Sequence, residues 1–180
     1  MPEKIPQYIF KLALLGDPMV GKTSLITQYV EQSFKKDYKP TLGVNIVTKD
    51  ISDENTNGLI RLVLWDIAGQ KEYDFSRKMF FQGCTGALFV YDITRYSTFE
   101  SIKSKWLNDL KAYANKNAAY LLIANKTDLK ESRAVSIEEG KDLASQINAN
   151  DFIETSAKHA ENVEMAFKKI VYQVLSDICK

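Results

Sequence analysis

The stretch that decides the fold is Gly16-Asp17-Pro18-Met19-Val20-Gly21-Lys22-Thr23, which fits the pattern G-x-x-x-x-G-K-[S/T]. It follows an apolar run, Tyr8–Leu15, and precedes apolar residues at helical spacing that begin at Leu25. A strand, a glycine loop and a helix in this order bind phosphate, because successive backbone N–H groups point at an anion near the positive end of the helix. The sequence therefore predicts a nucleotide phosphate site rather than a chance turn.

Each residue type in this loop has a predicted role. The glycines permit backbone angles and close contacts that a side chain would prevent. Lys22 supplies a positive charge to the β- and γ-phosphates, and the Thr23 hydroxyl is a ligand for Mg²⁺. The residues predicted to bind phosphate are Gly16, Met19, Val20, Gly21, Lys22, Thr23 and Ser24.

The composition is that of an ordinary globular chain. With 180 residues, of which 45% are hydrophobic, we expect a single domain over residues 1–180. A formal net charge of +1 gives no indication of a strongly basic face, so nucleic acid is not an expected partner. The two cysteines, Cys84 and Cys179, form no metal pattern, and no apolar run approaches the roughly 20 residues of a membrane span. We therefore expect a soluble, cytoplasmic protein.

Strand patterns alternate with helix patterns along the chain. A short polar turn between the second and third strands favours an antiparallel hairpin. Six strands are predicted, near residues 8–15, 44–51, 59–66, 87–91, 120–124 and 151–154. Helical periodicity follows the glycine loop and recurs near residues 99–113, 143–147 and 163–178. The expected fold class is α/β, a doubly wound, mostly parallel six-stranded sheet with one antiparallel edge strand, whose ligand site lies at the carboxyl ends of the strands.

An acidic residue ends the third predicted strand, in Asp66-Ile67-Ala68-Gly69-Gln70. Asp66 can hold Mg²⁺ through water, the Gly69 N–H can bind a terminal phosphate, and Gln70 can orient a water molecule for in-line attack. Taken alone, the stretch also fits a strand end followed by a turn. Its position after a glycine loop favours the catalytic interpretation.

Two further stretches at strand ends predict a base site. In Asn125-Lys126-Thr127-Asp128 the Asp128 carboxylate can accept two hydrogen bonds from adjacent N–H donors, which guanine presents and adenine lacks. Lys126 can lay its stem along the purine with its charge at the glycine loop. In Thr155-Ser156-Ala157-Lys158 the Ala157 N–H can donate to guanine O6. A capped turn with surface charges is the alternative for the first stretch.

The chain resembles the Ras-like small GTPases over essentially its whole length, and within that superfamily it is most similar to the Rab family. The family's five motifs occur in order at residues 16–23, Thr41, 66–70, 125–128 and 156–158. The Rab-like stretches include Thr41-Leu42-Gly43-Val44-Asn45-Ile46, Arg61-Leu62-Val63-Leu64-Trp65-Asp66 and Phe80-Phe81-Gln82-Gly83.

The resemblance implies a GTP/GDP switch that requires Mg²⁺, hydrolyses GTP slowly and regulates membrane traffic. Switch I would span about residues 33–45 and switch II about residues 66–80, and both would contact effectors, an exchange factor and an activating protein. The implied metal ligands are Thr23, Thr41 and Asp66, and the implied catalytic residues are Gln70, Lys22 and Thr41. Besides Gly69 at the terminal phosphate, the remaining implied nucleotide contacts are Phe34, Asn125, Lys126, Asp128, Ser156, Ala157 and Lys158.

Some interpretations stay open at this point. Phe34 would stack edge-on against guanine or fill a surface groove, and Trp65 would be exposed to partners or buried as core. A nucleotide-locked scaffold with negligible turnover is the alternative function, and a P-loop kinase or ATPase is opposed by Asn125 and Asp128. Pro18 departs from the small residue of many relatives. We expect a monomer, and a membrane partner only if a lipidated tail belongs to the full-length protein, since the sequence shows no prenylation motif.

Overall fold

The computed structural model describes residues 5–34, 41–53, 58–69 and 77–178. Six strands form one sheet in the order β2-β3-β1-β4-β5-β6. Strand β2 is antiparallel to β3, and the other neighbouring pairs are parallel. The strands are β1 (Tyr8–Leu15), β2 (Val44–Asp53), β3 (Gly58–Ile67), β4 (Gly86–Asp92), β5 (Ala119–Asn125) and β6 (Asp151–Thr155). The predicted fold class is confirmed.

Six α-helices lie in the described residues. They are α1 (Lys22–Glu31), α2 (Arg77–Phe81), α3 (Tyr96–Ser101), α4 (Leu107–Tyr113), α5 (Ile137–Ile147) and α6 (Val163–Ile178). The helix predicted near residues 99–113 is interrupted by a π-helical turn, Ile102–Trp106, which joins α3 to α4. A 3₁₀-helical segment, Thr127–Ser132, follows β5. None of the described helices is long and apolar enough to cross a lipid bilayer.

Two apolar layers cover the sheet. Alternate residues of β1 point to opposite faces, so Leu12 and Leu14 pack in one layer while Ala13 and Leu15 pack in the other. Residues of α1 and α6 complete the first layer, and residues of α4, α5 and the π-helical turn complete the second. All seven residues of β4 are buried, as expected of a central parallel strand covered on both faces.

The register of the sheet brings the polar strand ends to one edge. Leu14 pairs with Asp66, Asp92 pairs with Asn125, and Asn125 pairs with Thr155. The residues that follow these positions therefore share the carboxyl edge with the glycine loop after β1. Of the predicted connections, residues 54–57 between β2 and β3 lie outside the described residues.

Candidate functional site

The glycine loop has a backbone that requires glycine at both predicted positions. Gly16 has φ of +150° and Gly21 has φ of +101°, a region that side chains disfavour. A Cβ atom on Gly16 would lie 2.1 Å from the Val90 carbonyl oxygen, and one on Gly21 would lie 2.3 Å from Asn125 Nδ2. These close approaches connect the loop to the ends of β4 and β5.

Lys22 begins α1 and is buried beneath the loop. Its Nζ donates hydrogen bonds to the carbonyl oxygens of Gly16, at 2.7 Å, and Asp17, at 2.9 Å. Burial lowers the pKa of Lys22 to about 8, although the nearby carboxylates of Asp66 and Asp17 act in the opposite direction. The loop therefore holds a cation that an added anion would stabilise.

The three predicted metal ligands converge. Asp66 Oδ2 accepts hydrogen bonds from Thr23 Oγ1 at 2.5 Å and from Thr41 Oγ1 at 3.2 Å, and the two hydroxyl oxygens are 2.9 Å apart. Burial raises the pKa of the Asp66 carboxyl, while the Thr23 hydroxyl and Lys22 lower it. Within the described part of the chain, the buried Asp66 Oδ1 lacks a hydrogen-bond partner. Two hydroxyls and an unsatisfied carboxylate are hard oxygen donors, so the cluster fits Mg²⁺.

Gly69 packs directly against the glycine loop. A Cβ atom at this position would lie 2.5 Å from both Asp17 C and Pro18 N. Only glycine therefore allows the start of the predicted switch II to approach the loop backbone this closely. Gln70, the predicted water-orienting residue, lies outside the described residues, as do residues 35–40 of the predicted switch I.

Asn125 joins three segments at the carboxyl edge. Its Nδ2 donates to the Val20 carbonyl oxygen at 2.9 Å, and its Oδ1 accepts from Thr155 Oγ1 at 3.0 Å and from the Ala157 N–H at 3.3 Å. The side chain is buried, so these bonds fix the glycine loop relative to the segment after β6. In this structure the Ala157 N–H that was predicted for guanine O6 is engaged by Asn125.

Asp128 is oriented by the segment after β6. Ser156 Oγ donates to Asp128 Oδ1 at 2.7 Å, and Lys158 Nζ lies 3.9 Å from Asp128 Oδ2. Lys126 differs from its expectation, because its Nζ pairs with Asp92 Oδ2 at 2.7 Å rather than with the glycine loop. Asp92 is a buried carboxylate, which makes it the stronger electrostatic partner.

Comparison with known proteins identifies the family of this site. The family model described as "Ras family" matches residues 11–176. The chain belongs to the Ras family. It is 38% identical over 178 residues to Ras-related protein RABA5c of Arabidopsis thaliana, covering 99% of this chain and 81% of that relative. Ras-related protein RABA4b of Arabidopsis thaliana is 39% identical, covering 96% and 75%. Ras-related protein Rab11B of Nicotiana tabacum is 38% identical, covering 96% and 78%.

Membership in this family gives the chain's basic activity. It is a Ras-like, Rab-related GTPase that binds guanine nucleotide, as the sequence analysis predicted. The family also implies regulators and effectors in general.

Two residues predicted to contact nucleotide, Met19 and Phe34, are exposed at the surface, and Trp65 is partly buried. Met19 is 56% exposed and has φ of +64°, and Phe34, beyond the end of α1, is 38% exposed. The contacts of Met19, Ser24 and Phe34 with nucleotide remain predictions. Trp65 is neither fully exposed nor core: its ring lies 6.2 Å from that of Phe80, and Lys11 Nζ is 3.6 Å from the ring centroid.

Sequence reasoning missed several residues that support the GTPase site. The Asp92 carboxylate accepts from Thr94 and pairs with Arg95 and Lys126. Asp92 had a usable signal, because it ends an apolar strand just as Asp66 does. Arg95 and Trp106 also reach the glycine loop, and neither belongs to a motif that would have marked it.

Nucleotide affinity of this GTPase should fall as pH rises above about 8, the pKa of Lys22 without ligand. Phosphates bound at Lys22 would stabilise the charged ammonium and raise its pKa, so above pH 8 binding would take up a proton. The association constant should then fall by up to about tenfold per pH unit. The measurement is the GDP dissociation constant from about pH 6 to about pH 9. Lys22→Arg is the control, because a guanidinium stays charged throughout; an equal pH dependence in that variant would contradict the assignment.

Proposed function

We propose that this GTPase is a Rab-like molecular switch that regulates membrane traffic, requires Mg²⁺ and hydrolyses GTP slowly. The observation that carries the proposal is the contact of Thr41 with both Thr23 and Asp66. Thr41 belongs to the proposed switch I, whereas Thr23 lies in α1 and Asp66 lies near the end of β3, where the proposed switch II begins. A switch segment that supplies one of the proposed Mg²⁺ ligands can be ordered or released according to the ligand bound at that site.

The remaining site residues have roles that follow from their positions. Lys22 would bring positive charge to the β- and γ-phosphates, and the N–H groups from Met19 to Ser24 would bind their oxygens. Thr23, Thr41 and Asp66 would hold Mg²⁺, which when bound neutralises negative charge that develops on phosphate. Gly69 would offer its N–H to the terminal phosphate, and Gln70 would orient the attacking water.

The guanine base would lie on the side of Asn125 that faces away from the glycine loop. Asp128 would accept the two guanine N–H donors, and the Ala157 N–H would donate to guanine O6. Ser156 and Lys158 would hold the Asp128 carboxylate in place, as they do in the structure. Lys126 would cover one face of the purine with its stem, and Phe34 would contact its edge.

The regulatory cycle would use two surfaces of one domain. We propose that residues 1–180 form a single, monomeric G domain with switch I at about 33–45 and switch II at about 66–80. Effectors, an exchange factor and an activating protein would bind there. The domain would act in the cytoplasm and reach a membrane only through a lipidated tail. The alternative of a nucleotide-locked scaffold is opposed by the presence of the Thr23 and Thr41 hydroxyls at the proposed Mg²⁺ site.

Single-turnover hydrolysis tests the proposal. The unmodified chain loaded with GTP and Mg²⁺ should release phosphate slowly, and chelation of Mg²⁺ should stop the release. Gln70→Leu should bind GTP normally but hydrolyse it about 10- to 100-fold more slowly, because leucine cannot position the attacking water.

The matched control is Gln82→Leu, which makes the same change at an exposed position after α2. Phosphate release from this variant should equal that of the unmodified chain. Undetectable hydrolysis by the unmodified chain would favour the nucleotide-locked scaffold. Equal rates for Gln70→Leu and the unmodified chain would remove Gln70 from the mechanism.

A further inference from the structure

Two side chains from the region of α3 hold the first half of the glycine loop. Trp106 is fully buried, and its indole N–H donates to Asp17 Oδ1 at 2.8 Å. Arg95 immediately precedes α3, and its Nη2 donates to the Pro18 carbonyl oxygen at 2.9 Å. Consecutive loop residues are thus fixed by donors that lie outside every motif named above.

Lys22 holds the carbonyl oxygens of Gly16 and Asp17 from within the motif, but two features of the next residues disfavour this loop shape. Pro18 lacks a backbone N–H, which removes one donor. Met19 occupies the left-handed region at φ of +64°, which a residue with a Cβ atom disfavours. External hydrogen bonds to Asp17 and Pro18 offset both disadvantages.

A π-helical turn ends at Trp106. The Leu107 N–H bonds to the Ile102 carbonyl oxygen, five residues earlier, so the turn contains one residue more than an α-helical turn. One extra residue changes the direction of the following side chains by about 100° around the helix axis. Such turns occur frequently at functional sites. Trp106 is the last residue of this turn, and Lys105 Nζ lies 4.9 Å from its ring centroid.

Gly69 also contacts the first half of the glycine loop, at the peptide that joins Asp17 to Pro18. A Cβ atom on Gly69 would lie 2.5 Å from Asp17 C and Pro18 N. Gly69 therefore contacts the Asp17–Pro18 peptide, Arg95 binds the carbonyl oxygen of the next peptide, Pro18–Met19, and Trp106 holds the Asp17 carboxylate. We propose that Trp106 and Arg95 are positioning residues: Trp106 fixes the Asp17 side chain and Arg95 fixes the Pro18 carbonyl oxygen, and together they position the phosphate-binding N–H groups that follow. The inference rests on the proposed phosphate role of residues 16–23.

The Trp106–Asp17 bond is tested by the dissociation rate of a fluorescent GDP analogue. Asp17→Ala and Trp106→Phe should each speed dissociation by about fivefold, a typical size for a mutation that alters coupling without touching the ligand. The double variant should dissociate no faster than the faster single variant, because the two changes remove one bond. Asp17→Asn keeps an acceptor oxygen and should restore most of the slow rate.

The control for Trp106 is Asn108→Ala, an exposed change two residues further along the same helical stretch. Additive effects, or unchanged rates for Asp17→Ala, would overturn the inference even if thermal stability falls. Should Trp106→Phe fail to fold, the comparison of Asp17→Ala with Asp17→Asn decides the question. Failure of the unmodified chain to retain the analogue would count against the proposed function instead.

Arg95 needs a separate comparison because it also pairs with Asp92. Arg95→Ala should speed dissociation by about fivefold. Thr94→Ala removes a different hydrogen bond to the same Asp92 carboxylate without touching the loop, and it should have little effect. Equal acceleration by the two variants would show that Arg95 acts through Asp92 alone, which would overturn its role at Pro18.

Discussion

Asp128→Asn should weaken GTP binding and reduce the preference for guanine over adenine. The expected loss is about 2–5 kcal/mol, the range for removing one partner of a buried, charged hydrogen-bonded pair. The structure gives a reason beyond loss of charge. The His159 N–H donates to Ser156 Oγ, and the Ser156 hydroxyl donates to Asp128 Oδ1. Asparagine would keep its oxygen toward Ser156 and turn its NH₂ group toward the N–H donors of guanine.

Competition between GTP and ATP measures the effect. The ratio of their dissociation constants should fall in Asp128→Asn, and GTP should account for most of the change. Asp142→Asn is the matched control, because it makes the same substitution at an exposed position of α5. An unchanged ratio in Asp128→Asn would remove this carboxylate from the base site.

The sheet and its polar edge could be predicted because they depend on local patterns. Each core strand is an apolar run, and Asp66 and Asn125 stand where such runs end. The carboxyl ends of parallel strands must share one edge, so these residues had to come together. The five-residue helix α2 was not predicted, because five residues are too few to show a helical period.

The supporting contacts of the site could not be predicted for a different reason. Trp106 and Asp17 are 89 positions apart, and an apolar residue at helical spacing indicates only that it is buried. Its polar partner lies in a distant loop, and no periodicity in the sequence marks the π-helical turn that ends at Trp106. Lys126 had two possible anionic surroundings, the phosphate region and Asp92, and only the register of β4 with β5 places Asp92 beside it.

Pro18→Gly should raise the hydrolysis rate obtained with a Rab-type activating protein while changing intrinsic hydrolysis much less. An arginine supplied by a partner accelerates this chemistry by about 10³- to 10⁵-fold. Even a partial clash with the proline ring should therefore lower the stimulated rate measurably. The position of Pro18 is the reason to expect this clash, because its nitrogen lies beside Gly69, the residue that precedes Gln70. The Pro18 carbonyl accepts from Arg95, a bond that substitution of the side chain does not remove.

Two variants separate a steric effect of the ring from a change in loop flexibility. Pro18→Ala removes the ring but keeps a Cβ atom, so it should recover most of the stimulated rate if the ring obstructs the arginine. If only Pro18→Gly recovers it, freedom of the backbone is responsible, because glycine adds conformations that alanine does not. Phosphate release would be followed for all three chains with and without the activating protein. A stimulated rate that is the same in all three would contradict the steric hypothesis, since the ring would then lie clear of the path by which the partner's arginine approaches the phosphates.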